Sequence, residues 1–187
     1  ECIESNFVSS VGPFVDRFEE DVLKASGGRS AVATASGTAG LFLALTALGV
    51  RRGDLVVLPS FTFIASANAI AHCGAVPWLF DVEARSWTLD PGQVKERLAL
   101  QTDRRDGELI HIASGRRIGA IMPVYTFGTP ADMDAFKIIS KEYQLPLIAD
   151  AAAALGASYK ATNLGELADI TVFSFNELAF EFEFAGL

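Results

Sequence analysis

The chain has 187 residues, with 15 Lys and Arg against 23 Asp and Glu and a net charge of −8 at neutral pH, which makes nucleic acid and anionic membrane poor partners. Half of the residues are hydrophobic, 14 of them Phe, and only 20% are charged, so a disordered chain is excluded and there is material for roughly one domain. Two cysteines, Cys2 and Cys73, are too few and too far apart for a disulfide framework or a zinc site.

From about residue 30 onward, short apolar runs alternate with longer amphipathic stretches, the pattern of strand-helix units that build a parallel sheet covered by helices. Ser36 is placed to cap a helix from about Ala39 to Leu48, ended by Gly49. Leu55 to Leu58 reads as a strand closed by Pro59, Thr62 to His72 as a helix ended by Gly74, and Val76 to Phe80 as the next strand. Asp90 and Pro91 give a cap and a first-turn proline for a helix to about Leu98. The stretch from Gln101 to Arg117 mixes charge and glycine around the apolar run Leu109 to Ala113 and reads as an inserted loop or small hairpin. Ile118 to Val124 is a buried strand, Ala131 to Tyr143 a helix, Leu145 to Ala149 a buried strand ending at Asp150, and Asp169 to Phe175 the last strand. Neither an internal repeat nor a linker divides the chain. No segment has the ~18 uninterrupted apolar residues of a membrane span, and no basic region leads into an apolar run at the N-terminus, so a cytoplasmic location is expected.

Three places carry a chemical signal, each with a plainer reading beside it. Ser36-Gly37-Thr38 opens an apolar helix with free N–H groups and a positive dipole end, which suits a phosphate and equally suits simple capping. Asp150 ends a buried strand at the sheet edge where ligands bind in open α/β folds; a carboxylate there holds a protonated cofactor nitrogen or caps the next helix. Phe61 and Phe63 follow Pro59 at another strand end, as rings over a flat ligand or as ordinary core. His72 and His111 have no partner at metal or triad spacing.

In combination, Asn6 to Gly12, Ser36 to Ala39, Pro59 to Ala65, Pro123 to Gly128, Asp150 to Ala152 and Phe173 to Asn176 resemble, in order and spacing, the DegT/DnrJ-type nucleotide-sugar aminotransferases. These are fold type I enzymes that use pyridoxal 5′-phosphate (PLP), and the resemblance runs over about residues 5 to 176. It implies an α/β three-layer sandwich with a mostly parallel sheet, here an incomplete large domain (1–176) with a divergent tail (177–187) and without the small C-terminal domain. The opening segment and residues 101–117 look most like the branch that aminates 4-keto sugars on legionaminic acid routes. By resemblance, glutamate is the amino donor, a nucleotide-linked 4-keto sugar the acceptor, and a homodimer the state of the parent.

Carried over residue by residue, the resemblance makes Gly37, Thr38 and Ala39 the turn for the PLP phosphate, with Ser174 adding a hydroxyl. It makes Phe63 the ring stacked on the pyridine and Asp150 the partner of the pyridine nitrogen. Ala153 stands where many relatives place Gln, His or Glu. The position of the lysine that binds the cofactor covalently and shuttles protons is held by Ala179, which has no amine, and Lys137, Lys141 and Lys160 lie on other elements. No transaminase turnover is therefore expected of this chain, read as a truncated relative whose mean hydropathy of +0.31 reflects missing packing partners. Two other readings stay open: a non-catalytic scaffold that pairs with a full-length relative, and a lysine-free PLP enzyme such as a dehydratase.

Overall fold

A computed structural model of the chain describes residues 11–175. In chain order the elements are α1 (Pro13–Ser26), α2 (Gly37–Ala47), β1 (Leu55–Pro59), α3 (Ile64–His72), β2 (Val76–Phe80), α4 (Pro91–Gln101), β3 (Thr102–Arg105), β4 (Glu108–His111), β5 (Ile118–Ile121), α5 (Met133–Tyr143), β6 (Ile148–Asp150), β7 (Ser158–Tyr159), β8 (Thr162–Asn163) and β9 (Ile170–Val172).

All five residues of β1 are buried, as expected of a strand covered on both faces. It pairs in parallel with β2 on one side and β5 on the other. β6 and β9 form a second parallel pair. Parallel bridges Ile121–Leu147 and Val124–Asp150 join the two groups, so the strands lie in the order β2-β1-β5-β6-β9. Alternate residues of β1 face opposite ways. Leu55 and Val57 enter a core with Leu98 of α4 and Phe136 of α5, while Val56 and Leu58 enter one with Leu41 and Leu45 of α2 and Ile70 of α3. The result is the expected three-layer α/β arrangement.

Local chemistry sets most of the boundaries. Ser36 caps α2 by accepting from the Ala39 N–H at 3.1 Å, and Asp90 caps α4 by accepting from Gly92 at 2.8 Å. α3 starts at Ile64 instead of Thr62, because Phe63 is its extended N-cap residue. α4 runs on to Gln101, and residues 101–117 form the β3–β4 hairpin, turned by Asp106 and Gly107 with φ of 52° and 83°. β5 stops at Ile121 and β9 spans only Ile170–Val172, both shorter than the apolar runs that contain them. Two elements were not anticipated. α1 has Pro13 in its first turn, left-handed Gly27 at its end and half-buried Val15, Val22 and Leu23 on one face, with Phe14 and Phe18 exposed beside them. The β7–β8 hairpin turns at Lys160 and Ala161, both with positive φ, where the usual Asn or Gly signal is lacking.

Candidate functional site

β1 connects through α3 to β2 on one side of it, and the chain then returns to β5 on the other side, so a switch point lies between β1 and β5. The segments that leave the carboxyl ends of β1, β5, β6 and β9 gather along this edge, where open α/β sheets bind ligands. Asp150 stands at its centre. Its backbone is fixed on both sides of the residue: its N–H donates to Pro123 O at 3.0 Å, and its carbonyl accepts from the Tyr125 N–H at 2.8 Å.

The Asp150 carboxylate is 4% exposed and accepts from two neutral donors, the Ser66 hydroxyl at 2.7 Å and the Ala152 N–H at 3.3 Å. Burial pushes its carboxyl up from the ordinary carboxylate range, and these hydrogen bonds offset only part of that shift. Ser66 is fully buried on α3 and lies 2.8 Å from the Thr62 hydroxyl, so a chain of hydroxyls leads from Asp150 to the β1–α3 turn. Sequence reasoning missed Ser66. Its signal was a hydroxyl residue just before the α3 cap, Thr62, followed by another in the first turn, Ser66, close enough for the two hydroxyls to meet.

At the other end of the site, the α2 N-terminus meets the segment after β9. A Cβ added to Gly37 would lie 3.0 Å from the Ser174 Cβ and 3.1 Å from its hydroxyl, so Gly37 is bare where Ser174 approaches. Ser174 is held in turn by its N–H, which donates to Ala152 O at 3.4 Å, two residues beyond Asp150. Of Gly37, Thr38 and Ala39, the last already donates its N–H to the Ser36 hydroxyl, which leaves Gly37 and Thr38 as the first-turn donors without an intrahelical acceptor. Phe61 and Phe63 are not core: they are 41% and 71% exposed at the rim. Ala153 is also exposed, and Ala179 lies outside the described residues.

Other polar candidates are engaged elsewhere. His111 Nδ1 shares a hydrogen bond with Ser114 at 2.8 Å, Lys160 pairs with Asp134, and Lys137 donates to Glu166 O. His72 is exposed beside Phe42. Burial pushes the Cys73 thiol up, away from a reactive thiolate. Among the described residues no three His, Cys, Asp or Glu side chains cluster as metal ligands, and no helix is long and apolar enough to cross a membrane.

Residues 1–178 match the model of the DegT/DnrJ/EryC1/StrS aminotransferase family, and the chain belongs to that family. It is 39% identical to the GDP-perosamine synthase of Caulobacter vibrioides over 175 residues, which are 94% of this chain and 43% of that protein. The structure of DesI in the presence of its TDP-sugar product superposes with a TM-score of 0.77 at 34% identity, over 94% of this chain and 40% of that one. NtdA from Bacillus subtilis with bound cofactor PMP superposes at 0.74 and 31% identity, over 89% and 34%. The chain thus spans less than half the length of these relatives. The fold is that of fold type I enzymes, and the cofactor of the family is PLP.

The residues present fit that cofactor on two counts. The buried Asp150 carboxylate has hydrogen-bond donors but no cationic partner among the described residues, as a site for a pyridinium requires. At the α2 N-terminus, the bare Gly37 backbone with the Ser174 hydroxyl beside it and the free first-turn N–H of Thr38 are the donor types that a phosphate takes.

Proposed function

We propose that this chain carries the cofactor-binding part of a PLP-dependent aminotransferase acting on a nucleotide-linked 4-keto sugar, with glutamate as amino donor. The observation that carries this reading is a buried carboxylate without a counter-cation among the described residues, on the same edge as a bare helix N-terminus. Gly37 and Thr38 donate backbone N–H groups to the phosphate and Ser174 donates its hydroxyl, aided by the α2 dipole. Asp150 holds a proton at the pyridine nitrogen, with Ser66 fixing its Oδ2. Phe63 covers one face of the ring. When bound there, PLP supplies an electron sink for the charge left as the donor α-proton departs. With Ala179 at the position of the covalent lysine, the chain lacks the amine that would move that proton. It binds the cofactor reversibly and does not turn over.

Titration of the purified chain with PLP, followed by absorbance, tests this reading. We expect saturable binding that borohydride does not make permanent, and a loss of about tenfold or more in Asp150→Asn, the size of one charge-assisted contact. Equal binding by Asp150→Asn, or sustained amino transfer from glutamate, overturns it.

A further inference from the structure

We propose that Phe61, Trp87 and Phe127 form a subsite for the planar base of a nucleotide, one step outward from Asp150; this rests on the reading of the acceptor as a nucleotide-linked sugar. The three side chains come from three separate segments and meet at the rim. Phe61 lies 5.2 Å from Trp87 at an interplanar angle of 65°, and 6.1 Å from Phe127 at 59°. None stacks flat on another, so ring faces stay open to a flat ligand. They are 41%, 51% and 78% exposed, although rings of this size ordinarily bury their faces in a core.

The backbone beneath two of these rings supports a binding role. Trp87 has φ of 59° and Phe127 φ of 53°, a left-handed conformation that bulky residues rarely adopt. Strain of this kind persists where surrounding contacts over-determine it, and it concentrates at ligand sites. Here the buried Thr126 hydroxyl donates to Trp87 O at 2.9 Å, tying the two strained segments together. Gly128 fixes the next residue: a Cβ there would lie 2.9 Å from Ala153 O, so the chain after Phe127 is pressed against the turn that follows Asp150. Phe61 is next to Thr62, whose hydroxyl meets Ser66 on Asp150. The rings are therefore anchored to the cofactor edge from two sides. Stacking accepts any base, because every base has a π face.

Trp87 supplies the readout, since Trp78 is 8% exposed and Trp87 is the exposed tryptophan. The full chain is titrated with GMP, with dTMP and with ribose 5-phosphate while tryptophan emission is recorded. Both nucleotides should quench saturably and ribose 5-phosphate should not. Phe61→Ala and Phe127→Ala should each weaken nucleotide binding by about tenfold, and Phe127→Tyr should retain it. All of these side chains are exposed, and circular dichroism of each variant confirms the fold. No saturable quenching by either nucleotide, equal quenching by ribose 5-phosphate, or unchanged affinity in both alanine variants overturns the proposal. PLP uptake by the wild-type chain is read separately by absorbance. Uptake without nucleotide quenching leaves the aminotransferase reading standing and removes the subsite; quenching without uptake does the reverse.

Discussion

Two aspartates, equally buried at opposite edges of the sheet, are treated in opposite ways. Asp54, just before β1, is 5% exposed and forms a bidentate pair with Arg117, just before β5. It also accepts from the Arg51 N–H at 2.8 Å, while Arg117 donates its remaining reach to Gly49 O at 2.7 Å. Asp150, at the carboxyl edge, is 4% exposed and among the described residues receives only a hydroxyl and an amide N–H. One carboxylate is neutralised from within the chain, so it serves the fold. The other is desolvated and, among the described residues, has no cation beside it, which is a cost that a cationic ligand relieves.

The sharpest way to break the contrast is to make Asp54 resemble Asp150. Arg117→Met should cost about 3 kcal/mol by urea unfolding, near the low end for a broken buried pair because Arg117 is partly exposed. An unchanged urea midpoint would mean that the pair contributes nothing. On the other edge, Ser66→Ala removes the shorter of the two donors to Asp150 and should cost about 2 kcal/mol, the range for a hydrogen bond to a charged group. The same variant should weaken PLP binding, since Oδ2 is then no longer fixed.

A pH series sharpens the comparison further. The Asp150 carboxyl is raised by burial, so the folded chain holds a proton that the unfolded chain has released in the window above the ordinary carboxylate range. Its contribution to stability is present at low pH and is lost as pH rises through the raised value. Asp150→Asn should remove that fall, and the difference between variant and wild type, read as denaturant midpoint against pH, should grow toward neutrality. A constant difference across the series would show that Asp150 is not desolvated in solution. The smallest effect expected is for Ser36→Ala, about 1 kcal/mol, for one N-cap hydrogen bond at the N-terminus of α2.

How much of this was legible beforehand depended on whether the signal was local. Strands β1 and β2 are apolar runs bounded by proline, glycine or a cap, and α2 and α4 begin at a side chain that can satisfy a free N–H; each is settled within a few residues. Residues 101–117 read as an inserted loop or a small hairpin, and the structure makes them a hairpin turned at Asp106 and Gly107. α1 and the β7–β8 hairpin were missed, for different reasons. The second turns at Lys160 and Ala161 with no residue that favours positive φ; the first carries Pro13, Gly27 and an apolar face through Val15, Val22 and Leu23, a local signal that sequence reasoning missed. Asp150 stood out as the polar end of a buried strand, whereas Ser66 looked like any small helix residue.

The sequence alone determined the α/β layering, the family and the presence of Ser36, Gly37 and Asp150 in an order that suits a phosphate and a pyridinium. Those follow from period, capping chemistry and motif spacing, all properties of neighbours along the chain. Only the tertiary structure decided that Ser66, 84 positions away, would bond Asp150, that Ser174 would close on Gly37, and that Phe61, Trp87 and Phe127 would meet at one rim. Parallel pairing in the order β2-β1-β5-β6-β9 brings those segments to a common edge, and that pairing depends on burying both sheet faces together.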